Sequence, residues 1–375
     1  MAQPFSFGFS GDDIAVDADV DQGSPAVAPA AAAAPNSAQP EAAHVPAQIH
    51  NVAELHANTQ SSPQLQTLPD KISYATQEIE SPSGKKLALP RRELFDVRVQ
   101  LMAEDDGSNP EPMTGLDEAD IRTNVYEGGF KTWECSIDLA KLLLDRGPRK
   151  DIDDLCRVDH VIELGCGTAI PTLVLFHHAL TQSLPLYFTL ADYNLSVLRL
   201  VTLPNLLLTW ASTLPADSPL FTADSPNPFH ADAEGADHGD LYLTPALLAA
   251  FQSALTATPL TLSFISGSWV PPQSFLSLIP SSDQMNTLVL ASETIYSPAA
   301  LSAFADACVG LLRRVRLGKA MVAAKRVYFG VGGGVDAFKE EAAARGAVVA
   351  EVENSGVEMG EGAGVRRCLL EVQMM

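Results

Sequence analysis

The length of 375 residues would allow two or three domains if the whole chain folded, and a hydrophobic content of 46% is enough for a sizeable core. A formal net charge of −22 repels phosphate backbones, which argues against direct binding of nucleic acid. The same charge favours a basic protein partner, although acidic side chains also serve solubility alone.

The N-terminal part of the chain differs in composition from the rest. Three alternating phenylalanines, at positions 5, 7 and 9, predict a strap or a docking motif for a partner over residues 1–20. Residues 21–48 contain no aromatic residue, Leu or Ile, so they cannot bury enough apolar surface to offset the chain entropy. We expect a disordered, low-complexity linker over residues 21–88.

Regular apolar patterning returns at Leu89. Residues 89–120 are interpreted as an N-terminal extension of the fold, with a polar linker from residue 103. Beyond residue 120, strands and helices alternate in the way typical of a parallel α/β sheet. Residues 121–375 are therefore predicted to form the main domain.

Seven strands and six helices are predicted in this domain, the last two strands forming an antiparallel hairpin. The predicted strands are Val161–Leu164, Leu186–Ala191, Leu262–Ile265, Thr287–Ala291, Ala320–Phe329, Val348–Glu353 and Arg366–Val372. The predicted helices are Trp133–Leu144, Ala169–Leu180, Leu195–Trp210, Pro245–Leu255, Pro298–Arg314 and Val335–Arg345. Pro204 should kink or restart its helix, and residues 212–240 resemble an acidic surface insertion.

A glycine turn follows the first predicted strand of the main domain. Gly165 and Gly167 let the backbone pass close to a ligand, and the helix that follows offers unpaired N–H groups. The third glycine of a dinucleotide fingerprint is missing, so the glycine pair with Glu163 before it fits a methyltransferase better. Any doubly wound fold can contain such a turn, and the motif alone is weak evidence.

Polar and aromatic residues also follow the later strands, at the edge where open α/β sheets bind ligands. Asp192 lies 27 positions after Gly165, where a carboxylate accepts hydrogen bonds from ribose hydroxyls, and Tyr193 and Asn194 would flank the adenosine. The alternative is an ordinary turn aspartate. Gly267, Ser268 and Trp269 follow the third strand, where the Trp269 ring could stack on the adenine or simply pack in the core. Ser292, Glu293 and Tyr296 follow the fourth strand. The three glycines at 332–334 follow the fifth strand and would let a ligand approach the backbone, but a loop that needs a positive φ explains them nearly as well.

Four segments of the main domain together resemble the eukaryotic histidine protein methyltransferases. They are Glu127–Leu139, Asp192–Asn205, Ser292–Tyr296 and Tyr328–Gly334. The opening Phe5–Ser10 is also similar to the opening of that family. The resemblance spans the first ten residues and most of residues 89–372, without the expected linker and the acidic insertion.

This resemblance implies a Rossmann-like class I fold, S-adenosylmethionine as the cofactor, and a histidine of a large-subunit ribosomal protein as the acceptor. By the same similarity, the cofactor site is lined by Thr132, Trp133, Glu134, Cys135, Ser136, Gly165, Asp192, Tyr193, Asn194, Gly267, Ser268, Trp269 and Ser292. The chain departs from the family at Thr168–Ile170, where many members have another glycine, so the tightness of the turn is open.

Methyl transfer from a sulfonium is a one-step displacement, so the protein mainly has to align the reacting atoms. An imidazole is largely neutral at pH 7 and needs no deprotonation, but a hydrogen bond to one ring nitrogen must fix the tautomer. Glu293 or Tyr296 is predicted to make that bond. The alternative is that Glu293 pairs with a nearby backbone or basic group.

Two other functions remain open at the level of sequence. Lysine methyltransferases of the same superfamily share an acidic-x-x-Tyr segment like Glu293-Thr-Ile-Tyr296, and a non-catalytic assembly factor could keep the fold. Five cysteines without metal-site spacing predict a reducing compartment and no bound metal. With no signal peptide and no long apolar run, we expect a monomer in the cytoplasm and nucleus, with no membrane contact.

Overall fold

The structure is a computed structural model that describes residues 45–56, 68–104, 129–150, 158–222, 225–230, 237–328, 332–352 and 366–375. Several sequence predictions lie outside these ranges: the phenylalanine motif of residues 1–20, most of the expected linker up to residue 67, and the polar linker after residue 104. Everything described belongs to one compact unit that covers residues 43–375.

Eight strands form the central sheet of the described chain. They are β1 Gln48–His50, β4 His160–Leu164, β5 Leu186–Asp192, β7 Leu260–Ser266, β8 Thr287–Ser292, β9 Gly318–Lys325, β10 Ala347–Glu351 and β11 Arg367–Met374. Three further strands, β2 Lys71–Glu80, β3 Lys86–Arg92 and β6 His238–Tyr242, form a second sheet.

The order of the central sheet is β1-β7-β5-β4-β8-β9-β11-β10. Strands β7, β5, β4, β8 and β9 are parallel neighbours, whereas β11 is antiparallel to both β9 and β10. The prediction of a mostly parallel, seven-stranded Rossmann-like class I sheet with an antiparallel C-terminal hairpin is confirmed. The short edge strand β1, antiparallel to β7, is an addition that the sequence did not predict.

Helices cover both faces of this sheet. They are α1 Val52–His56, α2 Leu94–Glu104, α3 Glu134–Lys150, α4 Ile170–Gln182, α5 over residues 195–212, α6 Pro245–Ala257, α7 Pro272–Leu278, α8 Pro298–Arg313 and α9 Val335–Ala344. Residues of α3, α4, α5 and α6 join one apolar core, and residues of α7, α8 and α9 join a second. Because both faces are buried, the central strands read as nearly continuous apolar runs.

The prediction of a linker up to residue 88 is wrong at its C-terminal end. Residues 71–80 and 86–92 form the antiparallel pair β2 and β3, and Ile72, Tyr74 and Ile79 are buried. Ile72 and Tyr74 lie on one face of β2 and Ile79 lies on the other, so the average composition of residues 21–88 concealed a strand that buries apolar side chains on both faces.

The acidic insertion predicted over residues 212–240 also contributes to this second sheet. Its last residues begin β6, which pairs with β2, and Asp240 forms an ion pair with Lys71 at 2.7 Å. The partner strand lies about 170 positions earlier, so local patterning could not reveal the pairing. Strand β3 ends at Arg92. Helix α2 follows it and buries one face through Val97 and Leu101.

Helix α5 is continuous through Pro204 and contains a π-helical segment, Leu198–Thr202, directly before it. Pro204 is the second residue of the α-helical segment Leu203–Ser212, so the α-helix restarts at the proline after the wider π-helical turn. By length and composition this helix could cross a membrane, but 78% of its 18-residue window is buried inside the fold. Burial of this extent is typical of a core helix.

Glu163, near the end of β4, is fully buried. Its Oε2 accepts a hydrogen bond from the backbone N–H of Thr172 at 3.1 Å, while Oε1 has no hydrogen-bond partner in the described part of the chain. Burial raises the pKa of this carboxyl to about 8; the hydrogen bond from Thr172 opposes this shift, and the nearby Asp192 carboxylate adds to it.

We expect Glu163→Gln to change how stability depends on pH. The folded protein holds the proton of Glu163 between about pH 5 and 8, where the unfolded chain has lost it, so the free energy of unfolding falls as pH rises through this window. Gln cannot ionise, and its amide oxygen can still accept the hydrogen bond from Thr172. The variant should therefore lack this decline in the free energy of unfolding, which in the wild type reaches up to about 1.4 kcal/mol per pH unit. Denaturant unfolding of both proteins across this window measures the difference, and parallel profiles would contradict it.

Candidate active site

The glycine turn leads from β4 into α4 with three residues in the left-handed region. Gly165 and Gly167 have φ of +66° and +50°, and Ala169 has φ of +58°. A Cβ on Gly165 would lie 2.9 Å from Cγ2 of Thr294, so only glycine fits there without a shift. Ala169 occupies the stretch where the family often has another glycine, and it adopts the conformation that a glycine would favour. The turn is therefore tight despite the substitution.

Asp192, at the end of β5, binds the turn through its carboxylate. Its Oδ2 accepts a hydrogen bond from Gly167 N at 3.0 Å, and its Oδ1 accepts one from Asn194 N at 3.1 Å. The residue is only 3% exposed. A carboxylate has about four acceptor sites, so it can accept these two backbone bonds and others at the same time. Tyr193, next along the chain, is exposed.

The loop after β7 lies against the same strand end. Gly267 has φ of +102°, and its N–H donates to the carbonyls of Asp192 at 3.1 Å and Tyr193 at 3.0 Å. The ring of Trp269 packs on Phe304, with ring centroids 5.8 Å apart, and its outer edge lies 3.8 Å from the position of a Cβ on Gly165. Trp269 thus packs against the core and also borders the turn, and its contact with the adenine stays a prediction.

Residues at the start of α3 approach the turn from another side. Thr132 Oγ1 donates to Thr168 Oγ1 at 3.2 Å, and the carbonyl of Gly129 would lie 3.1 Å from a Cβ on Gly167. Ser136 and Cys135 are buried, and the hydroxyl of Ser136 donates to Trp133 O at 2.7 Å. The backbone at 129–132 therefore lines the turn, while Ser136 stabilises the first turn of the helix.

Glu293 follows β8, beyond Ser292, with an unusual backbone conformation. Its φ is +57°, and its N–H donates to Ala323 O at 3.0 Å. Its side chain is 10% exposed, and Lys325 Nζ lies 3.5 Å from Oε1, which has no hydrogen-bond partner among the described residues. A left-handed conformation costs a residue with a Cβ about 1–2 kcal/mol, and such residues cluster at functional sites.

Lys325, at the end of β9, connects Glu293 to the start of α3. Its Nζ lies 5.1 Å from the centroid of the Trp133 ring and 4.0 Å from Glu134 Oε2. Burial, followed by the negative charge of Glu293, raises the pKa of the Cys135 thiol and of the Tyr328 hydroxyl well above their usual ranges. Both groups are therefore neutral at physiological pH.

Tyr296 is held through its backbone by the glycine run. Gly333 N donates to Tyr296 O at 2.9 Å, and a Cβ on Gly333 would lie 2.2 Å from Ile295 O. Close approach of two backbones, rather than a positive φ, is what requires glycine at this position. The Tyr296 side chain is partly buried against the second apolar core.

Most of the predicted site residues lie together at the carboxyl edge of the sheet, around the turn or around Glu293. Glu163 is fully buried, and its carboxyl contacts the first turn of α4. Thr294, beside Gly165, and Lys325, beside Glu293, also border the site, although neither was predicted from the sequence as a site residue. Lys325 lies inside the predicted strand Ala320–Phe329, which in the structure already ends at Lys325, so the positional argument that found Asp192 and Ser292 could not find it.

Sequence relatives of this chain are histidine protein methyltransferases. The chain is 39% identical over 287 residues to histidine protein methyltransferase 1 of Saccharomyces cerevisiae, with 73% of each chain covered. It is 38% identical over 277 residues to the protein of that name in Schizosaccharomyces pombe, again with 73% of each covered. A homolog in Rattus norvegicus is 28% identical over 64% of this chain and 57% of its own length.

No family model matches the chain. Solved structures with a similar backbone include a putative class I S-adenosylmethionine-dependent methyltransferase from Listeria monocytogenes, with 11% identity, a TM-score of 0.34, and 75% of this chain and 68% of that chain covered. The two yeast relatives show that the chain belongs to the S-adenosylmethionine-dependent histidine protein methyltransferases.

Proposed function

We propose that this protein methylates one histidine of a large-subunit ribosomal protein on an imidazole nitrogen. The observation that carries the proposal is the pairing of the tight glycine turn with Glu293, a buried carboxylate held in a strained conformation at the same sheet edge. The resemblance to the histidine protein methyltransferases and the net charge of −22, which suits a basic substrate, support this substrate class.

The cofactor supplies an activated methyl group on a sulfonium. The described residues fit its nucleoside, since Asp192 offers carboxylate oxygens for ribose hydroxyls and Gly165 leaves room for close backbone approach. The edge of Trp269 beside the turn suits the adenine. Thr132, bonded to Thr168, completes the wall on the side of α3.

Glu293 orients the acceptor. An imidazole N–H would donate to its Oε1, which would fix the tautomer and leave the lone pair of the other ring nitrogen to form the new N–C bond while the bond between the methyl carbon and the sulfonium breaks and a neutral thioether leaves. Tyr296 lies three residues along the same loop and is the second candidate for this contact. Since the attacking nitrogen carries no proton, no general base is required.

We extend the proposal to partners and location. A mature ribosome would hide most of a ribosomal protein, so the substrate is modified before or during assembly. That timing places the enzyme in the cytoplasm and nucleus, acting as a monomer on protein rather than on nucleic acid or at a membrane.

The decisive experiment incubates the purified protein with labelled S-adenosylmethionine and a cell extract, and locates the labelled residue by mass spectrometry. We expect methylhistidine in a large-subunit ribosomal protein. Methyl-lysine would favour the lysine methyltransferase alternative, and absence of label would favour a non-catalytic assembly factor. The protein bearing the Asp192→Asn substitution serves as the background control.

We expect Asp192→Asn to weaken cofactor binding by at least about tenfold, because an amide replaces one acceptor oxygen by a donor that faces a backbone N–H. Isothermal titration calorimetry with S-adenosylmethionine measures the dissociation constant. Asp217→Asn, a change at an exposed carboxylate, is the matched control. Unchanged affinity in Asp192→Asn would contradict ribose binding by this residue.

We expect Glu293→Gln to lower kcat by about tenfold, because the amide oxygen of Gln accepts the imidazole N–H more weakly than a carboxylate does, while cofactor affinity stays unchanged. Tyr296→Phe tests the second candidate in the same assay. The control is Glu340→Gln, on the exposed face of α9. Full turnover by both Glu293→Gln and Tyr296→Phe, with normal cofactor binding, would rule out this orienting role.

A further inference from the structure

Thr202, at the end of the π-helical segment of α5, contacts the glycine turn. Its hydroxyl donates to Gly167 O at 2.7 Å, and the side chain is fully buried. Two other possible partners, Val197 O at 3.4 Å and Cys166 Sγ at 3.7 Å, are farther from the hydroxyl, so its single proton belongs to the contact with Gly167. The π-helical segment adds one residue to the turn of the helix, and such segments occur often at functional sites.

Asn205, one helical turn farther along α5, binds the next carbonyl of the turn. Its Nδ2 donates to Thr168 O at 3.0 Å, and its Oδ1 accepts from Arg92 N at 2.7 Å. Asn205 is also fully buried. Two consecutive carbonyls, those of Gly167 and Thr168, are thus held by two side chains of one helix, and the N–H of Gly167 is held by Asp192.

Pro204 explains how the N-terminal extension reaches this helix. A proline has no N–H, so in a regular helix it leaves the carbonyl of Leu200, four residues earlier, without a donor. Here Leu200 O accepts from Arg92 Nη1 at 2.9 Å. The guanidinium is fully buried and also forms an ion pair with Asp96 at 2.6 Å. Strand β3 and helix α2 are therefore fastened to the part of α5 that touches the turn.

We propose that Thr202 and Asn205 are positioning residues that set the shape of the cofactor turn, and that Arg92 holds Asn205 in place. The inference rests on the proposed cofactor site at Gly165–Ala169. Without these bonds, the carbonyls of Gly167 and Thr168 would be free to rotate, and the N–H groups between Gly165 and the start of α4 would no longer keep one orientation.

The chain offers a matched control on the same helix. Thr209 is fully buried like Thr202, but its hydroxyl has no hydrogen-bond partner among the described residues. Replacing either threonine by valine conserves volume and removes a hydroxyl. Only Thr202→Val removes a bond to the turn, whereas Thr209→Val removes an unsatisfied group. Thr202→Ser keeps the hydroxyl and tests rescue.

We expect Thr202→Val to raise both the dissociation constant and the KM for S-adenosylmethionine by about 5- to 10-fold, the effect of one lost hydrogen bond, with kcat at saturating cofactor within about twofold of the wild type. Thr202→Ser and Thr209→Val should bind the cofactor like the wild type. Calorimetry gives the affinities, and initial rates separate KM from kcat.

Three results would overturn the proposal: wild-type affinity in Thr202→Val, an equal loss of affinity in Thr209→Val, or a fall in kcat alone. Amide hydrogen exchange of the ligand-free proteins gives an independent reading, in which residues 165–169 should exchange faster in Thr202→Val than in Thr209→Val. If the wild type bound no cofactor, the proposed function would fail, and this exchange would still decide whether the hydroxyl shapes the turn.

Discussion

The hydrogen bond from Gly167 N to the carboxylate of Asp192 joins the ends of two neighbouring parallel strands. A charged acceptor and low exposure make such a bond stronger than an average one. The remaining site is arranged around it, because β7 pairs with β5 and places Trp269 on one side, while β8 pairs with β4 and places Glu293 on the other. The order of the sheet therefore sets the layout of the candidate site.

Backbone strain is concentrated at the two ends of this site. Ala169 and Glu293 both have a positive φ although each has a Cβ, which costs about 1–2 kcal/mol per residue. Both are held by backbone bonds, from Ala169 N to Cys166 O at 2.7 Å and from Glu293 N to Ala323 O at 3.0 Å. These main-chain contacts hold Ala169 and Glu293 in their left-handed conformations.

The sequence predicted the central sheet because its strands are apolar runs bounded by glycine and polar residues, and the positions after those runs identified Asp192 and Glu293. Contacts between distant segments stayed hidden. The pairing of β6 with β2 has no local signal, and Pro204 alone indicated a kink rather than a carbonyl that accepts from Arg92. Glu163 was correctly placed beside the turn, but its orientation depends on Thr172 in the following helix.

The pairing of Glu293 with Lys325 bears on the choice between histidine and lysine as the acceptor. A lysine ammonium must lose a proton before it can attack, and it carries a charge that the Nζ of Lys325, 3.5 Å from Glu293 Oε1, would repel. A neutral imidazole meets neither obstacle, since it needs only an acceptor for one N–H. With its negative charge already balanced by Lys325, Glu293 suits a neutral donor better than a cation. The acidic-x-x-Tyr segment, shared with lysine methyltransferases, is thus consistent with a histidine acceptor once the neighbouring cation is taken into account.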